Sequence, residues 1–259
     1  MGKLDGRVAV ITSGSTGIGR GICEAFLAEG ASIVINGRDA DKGAKALKEM
    51  NAGDRGHFIR GDVTVREDID AVVGGAVERF GKIDILVNNA GGLVKTAPVA
   101  NLADEDWDYA VKWNLYSAFW ASRKALEYMI PQEFGRIIMI SSVEGKHGKP
   151  AIPAYVTCKH AMIGLAKAIA KENGTSGITC NAICPGLVWT DVLVATGPDS
   201  AKEMGLTFDQ MVDLFAQETA LKRISTVEEV AAVAVLLASD VAGGITGSAY
   251  NVDGGTAAY

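Results

Sequence analysis

The feature that most constrains the fold is a regular alternation of short runs rich in β-branched residues with longer segments of helical periodicity. A run at residues 7–12 is followed by a helical pattern at 18–29, and the same order recurs at 32–36 and 41–50. Apolar strands without polar alternation are typical of parallel sheets buried on both faces, with the helices as crossovers. The chain therefore predicts an α/β fold.

The rest of the chain keeps this order, apart from one interval. The further predicted strands lie at residues 57–60, 83–87, 136–141, 178–184 and 249–252, and the further helices at 67–80, 105–116, 118–129, 155–171 and 227–238. Right-handed crossovers favour one doubly wound, Rossmann-type parallel sheet with helices on both faces. No linker, repeat or low-complexity tract interrupts the chain, so residues 1–259 are predicted to form a single domain.

The exception is the interval at about 190–226, which contains no predicted strand. It has a Gly197-Pro198 pair, typical of a turn, and then a helical pattern over residues 208–215. An insertion beside the carboxyl ends of parallel strands predicts a substrate lid. Its apolar residues either face a substrate or only pack the insertion onto the body of the protein. They are Met204, Phe208, Met211, Val212 and Phe215.

Charge and residue spacing exclude several classes of protein. The 259 residues carry 25 basic and 31 acidic side chains, a net charge of −6, whereas nucleic-acid phosphates require a basic surface. The four cysteines and three histidines lack metal-ligand or redox spacing, so no metal site is predicted. No segment has the apolar length of a signal peptide or a membrane span. We expect a soluble cytoplasmic protein with neither a nucleic-acid nor a membrane partner.

A glycine-rich loop lies between the first strand and the first helix. Its sequence is Thr12-Ser13-Gly14-Ser15-Thr16-Gly17-Ile18-Gly19. Small residues there let the backbone approach a pyrophosphate, and the N-terminus of the following helix stabilises the negative charge. The loop therefore predicts dinucleotide binding, because of its position between a strand and a helix.

The end of the second predicted strand indicates which nicotinamide dinucleotide binds. An acidic residue there would accept hydrogen bonds from a ribose 2′-hydroxyl, whereas this chain has Arg38, whose guanidinium suits a 2′-phosphate. In the alternative interpretation, Arg38 is a solvated arginine beside Asp39 and Asp41. We expect NADP(H) to be preferred, with NAD(H) as the alternative cofactor.

A phenol and an ammonium group lie on one helix face in the segment Tyr155-Val156-Thr157-Cys158-Lys159. With Ser142, Asn114 and Asn88-Asn89-Ala90-Gly91, this pattern resembles the short-chain dehydrogenase/reductase family. Further motifs of that family follow in the expected order between residues 4 and 252. They are Gly61-Asp62-Val63, Pro185-Gly186 with Thr190, and Val252-Asp253-Gly254-Gly255.

The resemblance implies the roles of four residues. Tyr155 would be the general acid/base, and Lys159 would lower the pKa of the phenol and contact the nicotinamide ribose. Ser142 would hydrogen-bond the substrate oxygen, and Asn114 would hold a water that links the lysine to solvent. Elementary chemistry agrees, because a phenol with a pKa of about 10 transfers protons poorly near neutrality unless a cation favours the phenolate. Hydride transfer also leaves negative charge on the substrate oxygen, which two hydroxyl donors would stabilise.

The resemblance also implies the residues that surround the dinucleotide. Asp62 would accept a hydrogen bond from the adenine amino group, Val63 would lie beside the ring, and Thr190 would hold the carboxamide. The other implied contacts are Ser13, Ser15, Thr16, Gly17, Ile18, Gly19, Arg38, Asn89, Ala90, Gly91, Tyr155, Lys159, Pro185, Gly186 and Val188. The family usually has glycine where this chain has Ser13, and serine tolerates a positive φ poorly, so we expect a slightly strained or shifted loop.

The substrate is constrained by two partial resemblances. Residues 179–186 and 251–255 resemble D-3-hydroxybutyrate dehydrogenases, which bind a small carboxylate with polar and basic side chains. At the matching positions this chain has Val94, Glu144 and Ile152, which would not bind a small anion. Residues 145–148 and 251–259 resemble polyketide-type and fatty-acid-type ketoreductases, which reduce β-keto thioesters with NADPH.

An apolar neutral carbonyl compound is therefore the expected substrate. The residues expected near it include Val94, Ile152, Leu187 and Trp189. Glu144 either hydrogen-bonds a hydroxyl or amine of the substrate or is an exposed loop acid.

Three functions compete at this point. The favoured one is an NADPH-dependent reductase of a fairly apolar ketone or 3-oxoacyl thioester. The alternative is an NAD(H)-dependent alcohol, hydroxysteroid or hydroxy-acid dehydrogenase. A catalytically silent cofactor-binding module is disfavoured, because such a protein has no use for a tuned phenol. The resemblance further implies a homotetramer built on the helices at 118–129 and 155–170 and on the C-terminal strand.

Overall fold

The computed structural model describes residues 2–257. The strands are β1 (Val8–Ile11), β2 (Ser32–Gly37), β3 (Gly56–Arg60), β4 (Ile85–Asn88), β5 (Gly135–Ile140), β6 (Ile178–Pro185), β7 (Val188–Trp189), β8 (Ser225–Thr226) and β9 (Ala249–Val252). The helices are α1 (Gly17–Ala28), α2 (Ala40–Glu49), α3 (Arg66–Phe80), α4 (Asp104–Val111), α5 (Ser117–Met129), α6 (Pro153–Asn173), α7 (Asp191–Glu203), α8 (Phe208–Glu218) and α9 (Val227–Ala238). Within residues 2–257, no helix is both long enough and apolar enough to span a bilayer.

Seven strands form one parallel sheet in the order β3-β2-β1-β4-β5-β6-β9. The order reverses between β1 and β4, so a crevice opens at their carboxyl ends, where ligands bind in sheets of this kind. The predicted doubly wound α/β fold is confirmed. The predicted absence of strands up to residue 226 is wrong at its end, because β8 pairs with β7. Such a two-residue pairing depends on tertiary contacts and leaves no local pattern.

The core lies on both faces of the sheet. Along β1, Val8 and Val10 pack towards α3, α5 and α6, whereas Ala9 and Ile11 pack towards α1 and α9. Both sets are nearly inaccessible to solvent, which explains why the strand shows no polar alternation. Each buried valine or isoleucine contributes about 1.5–3 kcal/mol. The sheet is therefore a rigid base for the loops at its carboxyl edge.

One helical region differs from the prediction. Two separate helices were expected at residues 105–116 and 118–129, but α4 and α5 are joined by a π-helical turn, Lys112–Tyr116. The backbone N–H of Ser117 reaches back to the carbonyl of Lys112, which closes the wider turn. Single π turns inside helices frequently occur at functional sites, and this one carries Asn114.

The segment between β7 and β8 also differs from the prediction. A turn was expected at Gly197-Pro198, but α7 continues through both residues, so that expectation is wrong. The proline removes only one helical donor. Gly197 lies so close to α8 that an added Cβ would be 2.3 Å from Cε2 of Phe208. Packing between α7 and α8 therefore outweighs the local preference for a turn.

Candidate active site

The glycine-rich loop is held from both sides by asparagine side chains. Ser13 has a φ of 54°, the strained conformation that the sequence led us to expect. Its N–H donates to Oδ1 of Asn36 at 2.9 Å, and its carbonyl accepts from Nδ2 of Asn89 at 3.2 Å. Neighbouring strands thus stabilise a backbone that serine alone would not favour.

The start of α1 offers free donors at this loop. Among residues 2–257, the backbone N–H groups of Ile18 and Gly19 have no hydrogen-bond acceptor, and the side chain of Thr16 makes no capping bond. A Cβ added at Gly19 would lie 2.7 Å from the carbonyl oxygen of Ser13, so only glycine fits there. Free N–H groups at a helix N-terminus beside a close backbone approach fit a pyrophosphate.

Asp62, at the far end of the crevice, still has one carboxylate oxygen available. Its Oδ1 accepts from the N–H and the hydroxyl of Thr64, at 2.9 and 2.8 Å. Its Oδ2 accepts no hydrogen bond within the described part of the chain, and the adjacent Val63 is buried. One oxygen thus remains for an adenine amino group.

Arg38 follows β2 and is exposed. Within residues 2–257 it forms no ion pair; Asp39 pairs instead with Lys42 and accepts its backbone N–H at the start of α2. Arg60 donates from Nε to the carbonyl of Arg38 at 3.1 Å. The positive charge at this edge is therefore not neutralised by the neighbouring acids.

The chain after β4 is fixed by Asn114. This side chain is fully buried, accepts from the N–H of Gly92 at 2.9 Å and donates to its carbonyl at 3.1 Å. Gly91 has a φ of 142°, and a Cβ there would be 2.4 Å from Oδ1 of Asn114. The amide thus positions the backbone of Gly91 and Gly92, while its implied water contact stays a prediction.

Ser142, Tyr155 and Lys159 come together at the end of β5 and the start of α6. The hydroxyl oxygen of Ser142 accepts from the N–H of Glu144 at 3.1 Å, which leaves its hydrogen free to donate. Nζ of Lys159 lies 5.4 Å from the ring centroid of Tyr155 and donates to the carbonyl of Ile140 at 2.9 Å. Ser142 and Tyr155 both line one cavity.

Burial is the main influence on the pKa values of Tyr155 and Lys159. It raises the pKa of Tyr155 to about 12, a shift opposed by the hydrogen bond with Ser142. It also lowers the pKa of Lys159 to about 8. The resemblance implied a lowered phenol pKa, but burial, the largest influence on this group, raises it instead. Near neutrality the phenol is therefore protonated and can donate a hydrogen bond.

A cavity of about 520 Å³ extends from Ser142 and Tyr155 towards α7 and α8. Of the predicted substrate residues, Glu144 and Ile152 line it, whereas Val94 and Trp189 do not. Leu187, which was also expected near the substrate, lines it too, as does Leu93 beside Val94. Other apolar wall residues are Leu193, Met204, Met211 and Phe215. The cavity is thus mainly apolar and within the size range of small-molecule sites.

The predicted lid contributes to the cavity with only part of its apolar set. Met204, Met211 and Phe215 line it, whereas Phe208 and Val212 do not. Phe208 packs on Trp189 instead, with ring centroids 6.1 Å apart. Three of the five residues are thus in the cavity wall, and their contact with a substrate stays a prediction.

Glu144 is a buried acid in the cavity wall, which excludes its interpretation as an exposed loop residue. Its Oε2 lies 2.9 Å from Nε2 of His147, and its Oε1 lies 3.4 Å from Nζ of Lys149. The Lys149 ammonium also lies 4.2 Å from the ring centroid of Phe215 on α8. This chain of contacts connects the loop after Ser142 to the lid.

Two contacts of the site were not anticipated from the sequence. Asp191 accepts the N–H of Gly17 at 2.8 Å, and Lys149 joins Glu144 to Phe215. Both link segments far apart in the chain, so no local pattern signals them.

The cysteines and histidines form no metal site in the structure. All four cysteines are free and buried, and burial raises the pKa of each thiol. Within residues 2–257, no three histidine, cysteine or acidic side chains are grouped so as to hold a metal ion.

Comparison with known proteins places this geometry among oxidoreductases. Residues 13–257 match a family model described as enoyl-(acyl carrier protein) reductase. A 3β-hydroxysteroid dehydrogenase of Mediterraneibacter gnavus is 37% identical over 270 residues, which cover 100% of this chain and 98% of that protein. A 3-oxoacyl-acyl-carrier-protein reductase of Haemophilus influenzae is 35% identical over 97% of this chain and 98% of its own.

A solved structure matches the whole chain. It is a variant of actinorhodin polyketide ketoreductase with NADPH, which superposes with a TM-score of 0.93 at 32% identity and covers 100% of both chains. The match extends to every strand of the sheet and therefore to the crevice at its carboxyl edge.

Proposed function

The chain belongs to the short-chain dehydrogenase/reductase family, and we propose that it reduces a fairly apolar ketone or a 3-oxoacyl thioester with NADPH. It is an oxidoreductase of CH–OH and keto groups, as its relatives are named. The observation that carries the finer proposal is an apolar cavity that ends on two hydroxyl donors, Ser142 and Tyr155.

In this proposal each side chain around the reacting carbon has a separate catalytic role. When bound, the nicotinamide supplies a hydride to the carbonyl carbon. Ser142 donates a hydrogen bond to the carbonyl oxygen, and Tyr155 gives it a proton as negative charge develops there. Lys159 then stabilises the resulting phenolate by its positive charge. Because the phenol is protonated near neutrality, the resting site already holds the proton that reduction consumes.

The NADP(H) preference rests on Arg38. Its exposed guanidinium forms no ion pair within the described residues and follows β2, where a 2′-phosphate would lie. A bidentate guanidinium–phosphate contact is among the strong charge-assisted hydrogen bonds. The ketoreductase of similar structure contains NADPH, which supports the same choice.

The substrate proposal rests on the wall of the cavity. Leu93, Ile152, Met211 and Phe215 give it an apolar surface suited to a neutral carbonyl compound. Glu144 would accept a hydrogen bond from a hydroxyl or amine of the substrate. The second candidate is an NAD(H)-dependent alcohol, hydroxysteroid or hydroxy-acid dehydrogenase, favoured by the relative named 3β-hydroxysteroid dehydrogenase.

The test is a two-step measurement on the purified protein. Fluorescence titration gives the Kd of NADPH and of NADH, and we expect NADPH to bind at least about tenfold more tightly. β-Keto thioesters, cyclic and fused-ring ketones and secondary alcohols are then screened in both directions. Tighter NADH binding with oxidation of a secondary alcohol would support the second candidate. Nucleotide binding without any turnover would support a silent module.

A homotetramer and a cytoplasmic location complete the proposal. Aromatic side chains are exposed along α4, the π turn and α5, beyond what isolated surface residues explain. They are Trp107, Tyr109, Tyr116 and Phe119. Such a stripe suits an interface between subunits, and native mass spectrometry would give the number of subunits.

A further inference from the structure

One carboxylate joins the start of the lid to the phosphate-binding loop. Oδ1 of Asp191 accepts the backbone N–H of Gly17 at 2.8 Å and that of Val192 at 2.9 Å. Gly17 is the first residue of α1, and Asp191 is the first residue of α7. A single oxygen therefore lies at the N-termini of two helices, both of which favour negative charge.

The contact between the two segments extends beyond this hydrogen bond. A Cβ built at Gly17 would lie 3.6 Å from Cγ2 of Val192 and 4.0 Å from Cγ2 of Thr190. The first turn of α7 thus packs directly on the loop. Further along α7, Leu193, Thr196 and Ser200 line the substrate cavity. The carboxylate therefore connects the cofactor crevice to the wall of the substrate site.

The position of this charge conflicts with the binding of a dinucleotide. A pyrophosphate brings negative charge to the N-terminus of α1, where the N–H groups of Ile18 and Gly19 are free. The Asp191 carboxylate already accepts the N–H of the adjacent residue. Whether the carboxylate moves away or stays beside the phosphates, its charge lowers the affinity.

We propose that Asp191 is a positioning residue that tethers α7 to the phosphate-binding loop and, by its charge, weakens the binding of NADPH and NADH alike. The inference rests on the proposed function, because it concerns the nucleotide of that reaction. The two effects are separable. The tether needs only an acceptor oxygen, whereas the weaker binding needs the negative charge.

The variant Asp191→Asn keeps an acceptor oxygen and removes the charge. We expect its Kd to fall about fivefold to tenfold for NADPH and by the same factor for NADH, because the pyrophosphate is common to both. The matched control is Asp199→Asn, which removes the same charge from an exposed site on the same helix, with no hydrogen bond to the loop. The control should leave both Kd values unchanged.

The variant Asp191→Ala removes the acceptor as well. Hydrogen exchange of α7 should quicken in this variant but not in Asp191→Asn, and KM for the ketone should rise only in Asp191→Ala. Circular dichroism melting checks that both variants fold. A purely structural role would not make nucleotide binding tighter when the charge is removed.

Three outcomes would overturn the inference. In the first, Asp191→Asn binds both nucleotides as the control does; in the second, it binds them more weakly; in the third, the Kd of only one nucleotide changes. In each case the proposed function stands, provided that the unmodified protein binds NADPH and turns over. If the unmodified protein binds neither nucleotide, the proposed function and the inference fall together.

Discussion

The floor of the site and its lid are built in opposite ways. On the floor, Asn114, Ser142 and Lys159 are only 0%, 7% and 3% exposed, and each is hydrogen-bonded to backbone groups. In the lid, Val192 and Leu214 are 45% and 46% exposed. The floor stands on strand ends of a buried sheet, whereas α7 and α8 pack mainly on each other and on the cavity rim. In the proposed function, chemistry is thus assigned to well-buried elements and substrate selection to a less buried segment, which we expect to open at lower free energy.

This contrast predicts that changes in the two regions affect different kinetic constants. Changes on the floor should lower kcat, because those groups act on the charge that develops in the transition state. Changes in the lid should raise KM for the ketone and leave kcat nearly constant, because its contacts are the same in both states. The predictions below test that division.

The largest effect is expected from Tyr155→Phe on the floor. The change removes the proton donor and keeps the ring, so kcat should fall more than about 100-fold, while the Kd of the nucleotide and the Tm stay the same. Steady-state kinetics, fluorescence titration and thermal melting measure the three quantities. Tyr128→Phe on α5, outside this cavity, is the matched control and should retain full activity. Residual turnover above about one per cent would mean that another group supplies the proton.

Arg38→Ala tests the end of β2, which belongs to neither the floor nor the lid. Loss of the guanidinium should raise KM for NADPH about tenfold, since a charge-assisted contact to the 2′-phosphate is lost. KM for NADH and kcat should remain unchanged, because NADH lacks that phosphate. Arg79→Ala, at the end of α3, controls for the loss of one positive charge. Equal effects on both nucleotides would remove the basis for the NADP(H) preference.

Both the activity and the free energy of unfolding should depend on pH because Lys159 is buried. The pKa of Lys159 is lowered to about 8 by burial, so kcat/KM for reduction should fall about fivefold from pH 8 to pH 9 as its charge is lost. Unfolding raises that pKa towards its ordinary value of 10.5. Between pH 8 and 10.5 the unfolded chain thus binds more protons, and this group makes the free energy of unfolding rise with pH. Denaturant titration across this range, repeated with Lys159→Met, isolates the contribution, which should vanish in the variant.

The sequence was most informative where local pattern and tertiary structure agree. The central strands β1 and β4 are apolar at nearly every position and buried throughout, so their burial follows from composition. The spacing of Tyr155 and Lys159 also places both on one face of α6, where the structure has them. In these places the physical cause acts within a few residues.

Tertiary contacts decided the rest. The π turn that carries Asn114 has no signature in the helical periodicity of its segment. α7 runs through Gly197-Pro198 because Phe208 packs on the glycine. The loop after β4 places Leu93 rather than Val94 in the cavity wall, and Trp189 packs on Phe208 outside it. Loop orientation depends on distant partners, which the sequence pattern does not reveal.

The smallest effect is expected at Lys149, whose ammonium connects the loop after Ser142 to α8. Lys149 lies 3.4 Å from the Glu144 carboxylate and 4.2 Å from the Phe215 ring. A partly exposed ion pair and a cation–π contact each contribute about 0.5–1 kcal/mol. Lys149→Met keeps much of the length and removes the charge, so the lid should open more often and KM for the ketone should rise about threefold.

Because Lys149 does not reach the reacting carbon in the proposed mechanism, kcat should stay within about 30% of its original value. Lys202→Met, on the exposed part of α7, is the matched control and should change neither constant. A loss of kcat without a change in KM would contradict the division between floor and lid. It would mean that the charge of Glu144, without its lysine partner, acts more strongly on Tyr155, whose pKa that carboxylate already raises. Measuring the pH profile of Lys149→Met separates lid opening from this electrostatic effect, because only the electrostatic effect raises the pKa of the Tyr155 phenol further.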